Sequence, residues 1–420
     1  MSLPHTYHFP SGFLWGAATA SHQVEGDNRW NDWWAYEQDG RVPYRSGQAC
    51  QHYDLYEADF DLAQSWGHNA HRLSIEWSRI EPAEGQWNVE AMAHYQAVIQ
   101  ALRARGIEPI VTLHHFTNPE WFARRGGWLR RDSVRCFARY VTYVADHLGE
   151  HVRYWLTINE PTVYVLHGYI LGEWPPCLHT SWRKAAVVLR HLARGHVAAY
   201  RVLHRSRQDA LVGFAHSAPL IVPCNPARQR DRVAAAMRDW ILHRTFFWLI
   251  GARLQHRRRP VRNLDMIGIN YYTRTIVRSV GWGVGALLGR ACRLLHHERG
   301  PISTTGWEVY PPGLAVVLER FAALGLPLLV TENGVATDHE GLRREALGQH
   351  LQCLAQACKN GVNVIGYLYW SLMDNFEWTL GTSARFGLAA VDFTTQQRLP
   401  RSCAEDFARV CRENRLVRDR

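Results

Sequence analysis

A chain of 420 residues, 47% of them hydrophobic and with no low-complexity tract, can bury a large core. Its formal charge of +10 would permit contact with nucleic acid or another acidic surface, but basic residues occur in every part of the chain, and no nucleic-acid role is expected. Nine cysteines, odd in number and without Cys-x-x-Cys spacing, argue against a disulfide framework and a structural zinc site, and fit a reducing cytoplasm.

Taken in chain order, the first β-rich run is FLWGAATA at 13–20. It ends in small residues as a secretory signal does, yet no Lys or Arg precedes it and Trp15 and Gly16 sit inside it, so it reads as a strand. Seven similar runs follow: AHRLSIEW (70–77), EPIVTLHH (108–115), YWLTINE (154–160), LVGFAHSA (211–218), DMIGINYY (265–272), PLLVTENG (327–334) and VIGYLYWS (364–371). Between them, segments such as 89–106 and 133–151 repeat apolar residues three and four apart, the spacing of amphipathic helices, and Gly106 is a helix stop. Eight strands that are almost continuously apolar, alternating with helices, predict a (β/α)8 barrel, with a doubly wound open sheet as the alternative. Such a barrel needs about 250 residues, so the excess must lie in extended βα loops. With no Pro/Gly/Ser-rich linker, residues 1–420 are expected to form one catalytic domain. No run nears the roughly 18 apolar residues of a membrane span, and no membrane insertion is expected.

Catalytic groups of such barrels lie at the C-terminal strand ends. Those ends here carry Glu76 and Trp77, His114 and His115, Asn159 and Glu160, Asn270 and Tyr272, Glu332 and Asn333, and Trp370. Glu160 and Glu332 each close an apolar run, where a carboxylate is costly to desolvate unless partnered. Two carboxylates across a pocket equip glycoside hydrolysis, one protonated and donating to the leaving oxygen, the other ionised; a structural ion pair is the plainer alternative. Arg72, within the second strand, is the expected partner of one of them. His114 and His115 are adjacent, hence point to opposite faces and cannot grip one ion, and no metal site or other cofactor is expected. Nucleotide-binding glycine motifs and the Gly-x-Ser-x-Gly of esterases are lacking. Eighteen tryptophans, several in polar company (Trp33, Trp34, Trp121, Trp174, Trp307, Trp370, Trp378), suit the apolar face and hydroxyl rim of a sugar.

In these motifs the chain resembles glycoside hydrolase family 1, the retaining β-glucosidases and β-galactosidases. FLWGAATASHQVEG, RLSIEWSRIEP, VTLHHFTNP, TINEP, IGINYYTR, GWEVYPPGL, TENG, YWSLMDNFEW and RFGLAAVDF occur in the family's order. The resemblance implies Glu160 as acid/base and Glu332 as nucleophile. It implies Asn159 on the sugar 2-hydroxyl, Arg72 and Tyr272 against the nucleophile, and Asn270 beside them. It further implies Gln23, His115, Glu377 and Trp378 on the hydroxyl rim, Trp370 as the platform and Trp307 at the leaving-group site. Glu377 in FEW would repel a phosphorylated sugar. The implied substrates are β-glycosides, small or oligosaccharide, with glucosyl, galactosyl and fucosyl all open, as are the aglycone and the oligomeric state.

Three departures from the family pattern bear on the leaving group: Phe116 where many relatives have Trp, Cys177 in PPC where PPG is familiar, and a compressed 228–263 segment ending in LQHRRRPVRN. That ending reads as a solvated basic loop rather than an anion site. Residues 281–300, apolar and basic together, read as a packed loop or lid in preference to a membrane contact. The competing functional readings are a catalytically weak carbohydrate-binding barrel and an enzyme acting mainly by transglycosylation.

Overall fold

The computed structural model describes residues 5–252, 261–292 and 300–418. Eight parallel strands close a barrel: β1 (Leu14–Ala18), β2 (Ala70–Ser74), β3 (Glu108–Thr112), β4 (Tyr154–Asn159), β5 (Leu211–Ser217), β6 (Ile267–Asn270), β7 (Leu328–Asn333) and β8 (Val364–Trp370). Each pairs with its sequence neighbours, and β8 closes on β1 with Gly366 opposite Leu14. All eight coincide with the runs expected from sequence. Each of those runs extends one to three residues too far at its C-terminal end, because the chain leaves the ladder there to form the mouth.

Both faces of the strands are covered, which is why they read as nearly unbroken apolar runs. Small and aliphatic side chains such as Ala18, Ala70, Ile110, Leu156, Leu329 and Leu368 fill the interior. Helices form the outer layer, among them α1 (Val89–Ala104) and α2 (Ser133–Leu148). The Asn88 side chain accepts from the backbone N–H of Glu90 and Ala91 to start α1, and Gly106, at φ +70°, follows its end.

Two ladder irregularities shape the mouth. Register shifts fall between Leu156 and Asn159 where β4 meets β5, and between Val330 and Glu332 where β7 meets β6. Such shifts re-aim side chains at a strand end, and here each precedes a glutamate. Gly334, two residues beyond Glu332, tolerates no side chain, since a Cβ would sit 2.1 Å from the Trp370 carbonyl oxygen.

The loops after β5 and β6 build a side layer. A small sheet, ordered Arg290–Ala291, Arg274–Arg278, Leu220–Pro223, packs against α3 (Gln229–His243), which α4 (Thr245–Ile250) follows. Most of the basic run at 254–263 falls outside the described residues, as does 293–299 of the 281–300 stretch. Residues 284–288 of that stretch form a short helix packed on α3.

Candidate active site

At the end of β7, Glu332 has a donor on each oxygen. Arg72, fully buried in β2, donates from Nη1 to its Oε1 at 2.5 Å, and the Tyr272 hydroxyl donates to Oε2 at 2.7 Å. Arg72 is itself fixed by donating from Nε to Thr112 Oγ1 at 3.0 Å and from Nη2 to Asn159 Oδ1 at 2.7 Å. A buried guanidinium with this many acceptors is both satisfied and immobile. The burial cost that the run PLLVTENG raises at its carboxylate is thus met by one cation and one hydroxyl.

Glu160, at the end of β4, has different company. It precedes the helix Pro161–Val165 and takes φ +41°, a left-handed conformation uncommon for a residue with a side chain. Asn270 Nδ2 donates to its Oε1 at 3.0 Å and to Asn159 Oδ1 at 3.2 Å, and Thr331 Oγ1 holds Asn270 by donating to Oδ1 at 2.6 Å. Burial, followed by the charge of Glu332, raises the Glu160 carboxyl from the ordinary carboxylate range to about 8, against hydrogen bonds from Asn270 and Ser217 and the Arg72 charge. One carboxylate is therefore paired with a cation while its neighbour keeps a proton at neutral pH.

The rest of the pocket is aromatic and amide. His115 stacks between Trp370 and Trp378, its ring tilted 13° and 12° from theirs. Burial, with Arg72 behind it, holds His115 well below its usual range. Asn159 Nδ2 faces its Nε2 at 3.3 Å, so the neutral ring accepts there and carries its proton on Nδ1. That Nδ1 is buried without a partner, as is Gln23 Oε1, whose Nε2 donates to Phe376 O and Asn375 Oδ1. A donor and an acceptor left open in a pocket are what a sugar's hydroxyl rim would satisfy. Trp370 Nε1 donates to Glu377 Oε1 at 2.8 Å, and burial raises Glu377 to about 8, the Trp370 bond opposing and the Glu332 charge adding. Trp307, 42% exposed, stands outermost with its ring 5.3 Å from that of Tyr272.

Every residue singled out from sequence as catalytic, supporting or substrate-binding thus lies in this one network or against it. Four other strand-end residues do not, among them Asn333, which donates from Nδ2 to Tyr271 O and accepts from the Tyr367 hydroxyl. Trp77 is fully buried among Trp121, Phe122, Phe137 and Tyr140, and Glu76 accepts from Ser21, Ser78 and Thr117 behind the pocket, so both belong to the helix layer. The strand stops at Ser74, and the following turn swings them outward. His114 likewise faces the helix layer, against Asn118 and Trp128. Of the tryptophans, Trp33 and Trp174 join the Trp378 wall, with Phe116 between Trp174 and Trp378, whereas Trp121 packs with Trp77. Sequence reasoning missed Ser217, the β5 residue that bonds Glu160, and Phe386, packed against Tyr272 and Trp307. Among the described residues one trio, Glu84, Asp132 and Cys136, has metal-ligand character, but Arg125 and Arg130 already engage its carboxylates.

The model of glycosyl hydrolase family 1 matches residues 5–256 and 255–416. The chain belongs to glycosyl hydrolase family 1. It is 33% identical to a thermostable β-glucosidase B of Thermobispora bispora, over 97% of this chain and 91% of that protein. It is 31% identical to a β-galactosidase of Pyrococcus woesei, covering 94% of each. Among solved structures, a β-glycosidase from Pyrococcus horikoshii superposes with a TM-score of 0.91 at 41% identity, over 99% of this chain and 97% of that one. As a family 1 member the chain is a glycoside hydrolase on a (β/α)8 barrel, and no described helix is long and apolar enough to cross a membrane.

Proposed function

We propose that the protein hydrolyses terminal nonreducing β-D-glucosides, and related galactosides or fucosides, by double displacement, working as one catalytic domain in the cytoplasm. The carrying observation is the asymmetry of the two carboxyls: Glu332 bound by Arg72 and Tyr272, Glu160 raised to about 8 beside it. Glu332 attacks the anomeric carbon while the Glu160 proton passes to the leaving oxygen, giving a covalent glycosyl-enzyme. Esterification removes the Glu332 charge, which is one of the two causes that raise Glu160. Glu160, now deprotonated and no longer repelled, is poised as the base that draws a proton from the attacking water.

His115, Gln23 and Glu377 hold the hydroxyl rim and Trp370 carries the apolar face of the sugar. Glu377 is hydrogen-bonded by Trp370 and Gln23 and, among the described residues, has no cation within ion-pair distance, which supports an unphosphorylated sugar. Asn159, held by Arg72 and Asn270, is placed for the 2-hydroxyl. Glu332→Gly tests the reading: hydrolysis of an aryl β-glucoside should vanish while an α-glycosyl fluoride still donates its sugar to an acceptor. Hydrolysis at the parent rate would refute it.

A further inference from the structure

The Phe-Glu-Trp loop at 376–378, which carries Glu377 and Trp378 to the pocket, has an uncommon backbone. Trp378 takes φ +53°, and Phe116, whose ring lies 5.4 Å from the indole, takes φ +71°. A bulky residue in the left-handed region persists only where its surroundings over-determine it. Within the loop, Leu380 N–H donates to Glu377 O and Gly381 N–H to Trp378 O, which sets the turn but leaves the indole to its neighbours. Those neighbours are His115, Phe116, Trp33, Trp174 and His22.

His22, on the turn Ser21–Val24, is fully buried, and its ring lies 5.7 Å from that of Trp378 and 16° from parallel. Both ring nitrogens are engaged. Asn31 caps the helix Asp32–Gln38, its Oδ1 accepting from the Trp34 backbone N–H at 2.8 Å. That bond orients the amide, so Nδ2 donates to His22 Nδ1 at 3.0 Å. The His22 proton is thereby assigned to Nε2, which donates to Glu37 Oε1 at 2.9 Å. Glu37 is as deeply buried, and its Oε2 accepts from the Ser46 backbone N–H at 2.9 Å and from Ser46 Oγ at 2.7 Å. Asn31 starts the helix and Glu37 lies in its last turn, so one rigid element grips the imidazole at both nitrogens.

The same helix is anchored beside Phe116. Asp32 accepts from the N–H and Nδ2 of Asn118 at 2.9 and 2.8 Å, and Trp33 packs with its ring 4.6 Å from that of Trp378. The turn that carries His22 also holds the loop backbone, since Gln23 O accepts from the Phe376 N–H at 3.1 Å and Gln23 Nε2 donates to Phe376 O at 2.9 Å. An apolar side chain could fill the space of His22 without the cost of burying polar atoms. A ring bonded at both nitrogens adds what an apolar one lacks, a fixed plane.

We propose that His22, gripped by Asn31 and Glu37, is a positioning residue that sets the plane of Trp378 and through it the binding of the nonreducing sugar. The inference rests on the sugar-binding role given above to the loop of Glu377 and Trp378. Its test is steady-state hydrolysis of an aryl β-glucoside, with glucose as competitive inhibitor, by the parent, His22→Ala, Glu37→Ala and the double variant. His22→Ala should raise KM and the glucose inhibition constant together by about ten-fold, the scale of one lost buried hydrogen bond, while kcat falls by less than about three-fold. Glu37→Ala leaves the ring in place but ungripped and should raise both constants by about three-fold or more. It carries the test by itself if His22→Ala does not fold. Because Glu37 acts through the ring, the double variant should be no worse than His22→Ala. Parent-like KM and inhibition constants in the variants, a loss confined to kcat or to melting temperature, or additive effects of the two substitutions would overturn the proposal. A parent protein without activity on the glucoside would instead refute the function proposed above.

Discussion

The ends of β4 and β7 begin alike and finish differently. Both are apolar strands that break register and terminate in a buried glutamate, yet Glu332 meets a guanidinium and a phenol while Glu160 meets an amide and a hydroxyl. The distinction in chemical role therefore comes from partners carried on other strands: Arg72 on β2, Tyr272 just beyond β6, Asn270 on β6 and Ser217 on β5. Identical side chains in one pocket differ because burial and the neighbouring Glu332 charge raise Glu160, while the cation is bonded to Glu332.

Changes at each end should separate the two roles. Removing the β7 carboxylate with Glu332→Gly should lower kcat by about 10⁵-fold or more for every leaving group, measured by aryl glycoside hydrolysis. Glu160→Gln should cost about 10²- to 10⁴-fold for poor leaving groups and much less for the formation of the glycosyl-enzyme from activated ones, seen in a leaving-group series. It should also abolish the fall of kcat/KM above about pH 8 that loss of the Glu160 proton imposes on the parent. Tyr272→Phe removes one donor to Glu332 and should reduce kcat by about 10- to 100-fold, the scale of one hydrogen bond to a charged group.

The smallest effect is on stability. A carboxyl raised from 4.5 to about 8 by folding binds more protons in the native state between those values, so its contribution to stability is lost as pH rises through that window. Glu160→Gln and Glu377→Gln should therefore melt higher than the parent near pH 8 by about 2 °C, and the difference should shrink toward pH 5, as read by thermal denaturation.

The barrel was legible because parallel strands buried on both faces leave unbroken apolar runs, and the two glutamates stood out because each ended such a run. Arg72 was legible for the same reason, being a cation where only a paired one survives. Ser217 carried no such signal: a serine within LVGFAHSA is as easily a strand residue as a hydrogen-bond donor to Glu160. Phe386 lay within RFGLAAVDF, where nothing but the fold brings it to Tyr272. Trp77 and Glu76 were misplaced because alternation along a strand was carried past Ser74, where the strand had ended.

The division of labour between the two strand ends can be tested in one experiment. A 2-deoxy-2-fluoro-β-D-glucoside with an activated leaving group forms the glycosyl-enzyme but slows its hydrolysis, because the fluorine destabilises an oxocarbenium-like transition state. After proteolysis, mass spectrometry should find one fluoroglycosyl group on the peptide containing Glu332, and the free Glu160 carboxyl of the trapped enzyme should titrate below its value in the resting enzyme. A label on Glu160, or inactivation without any label, would contradict the assignment of nucleophile and acid.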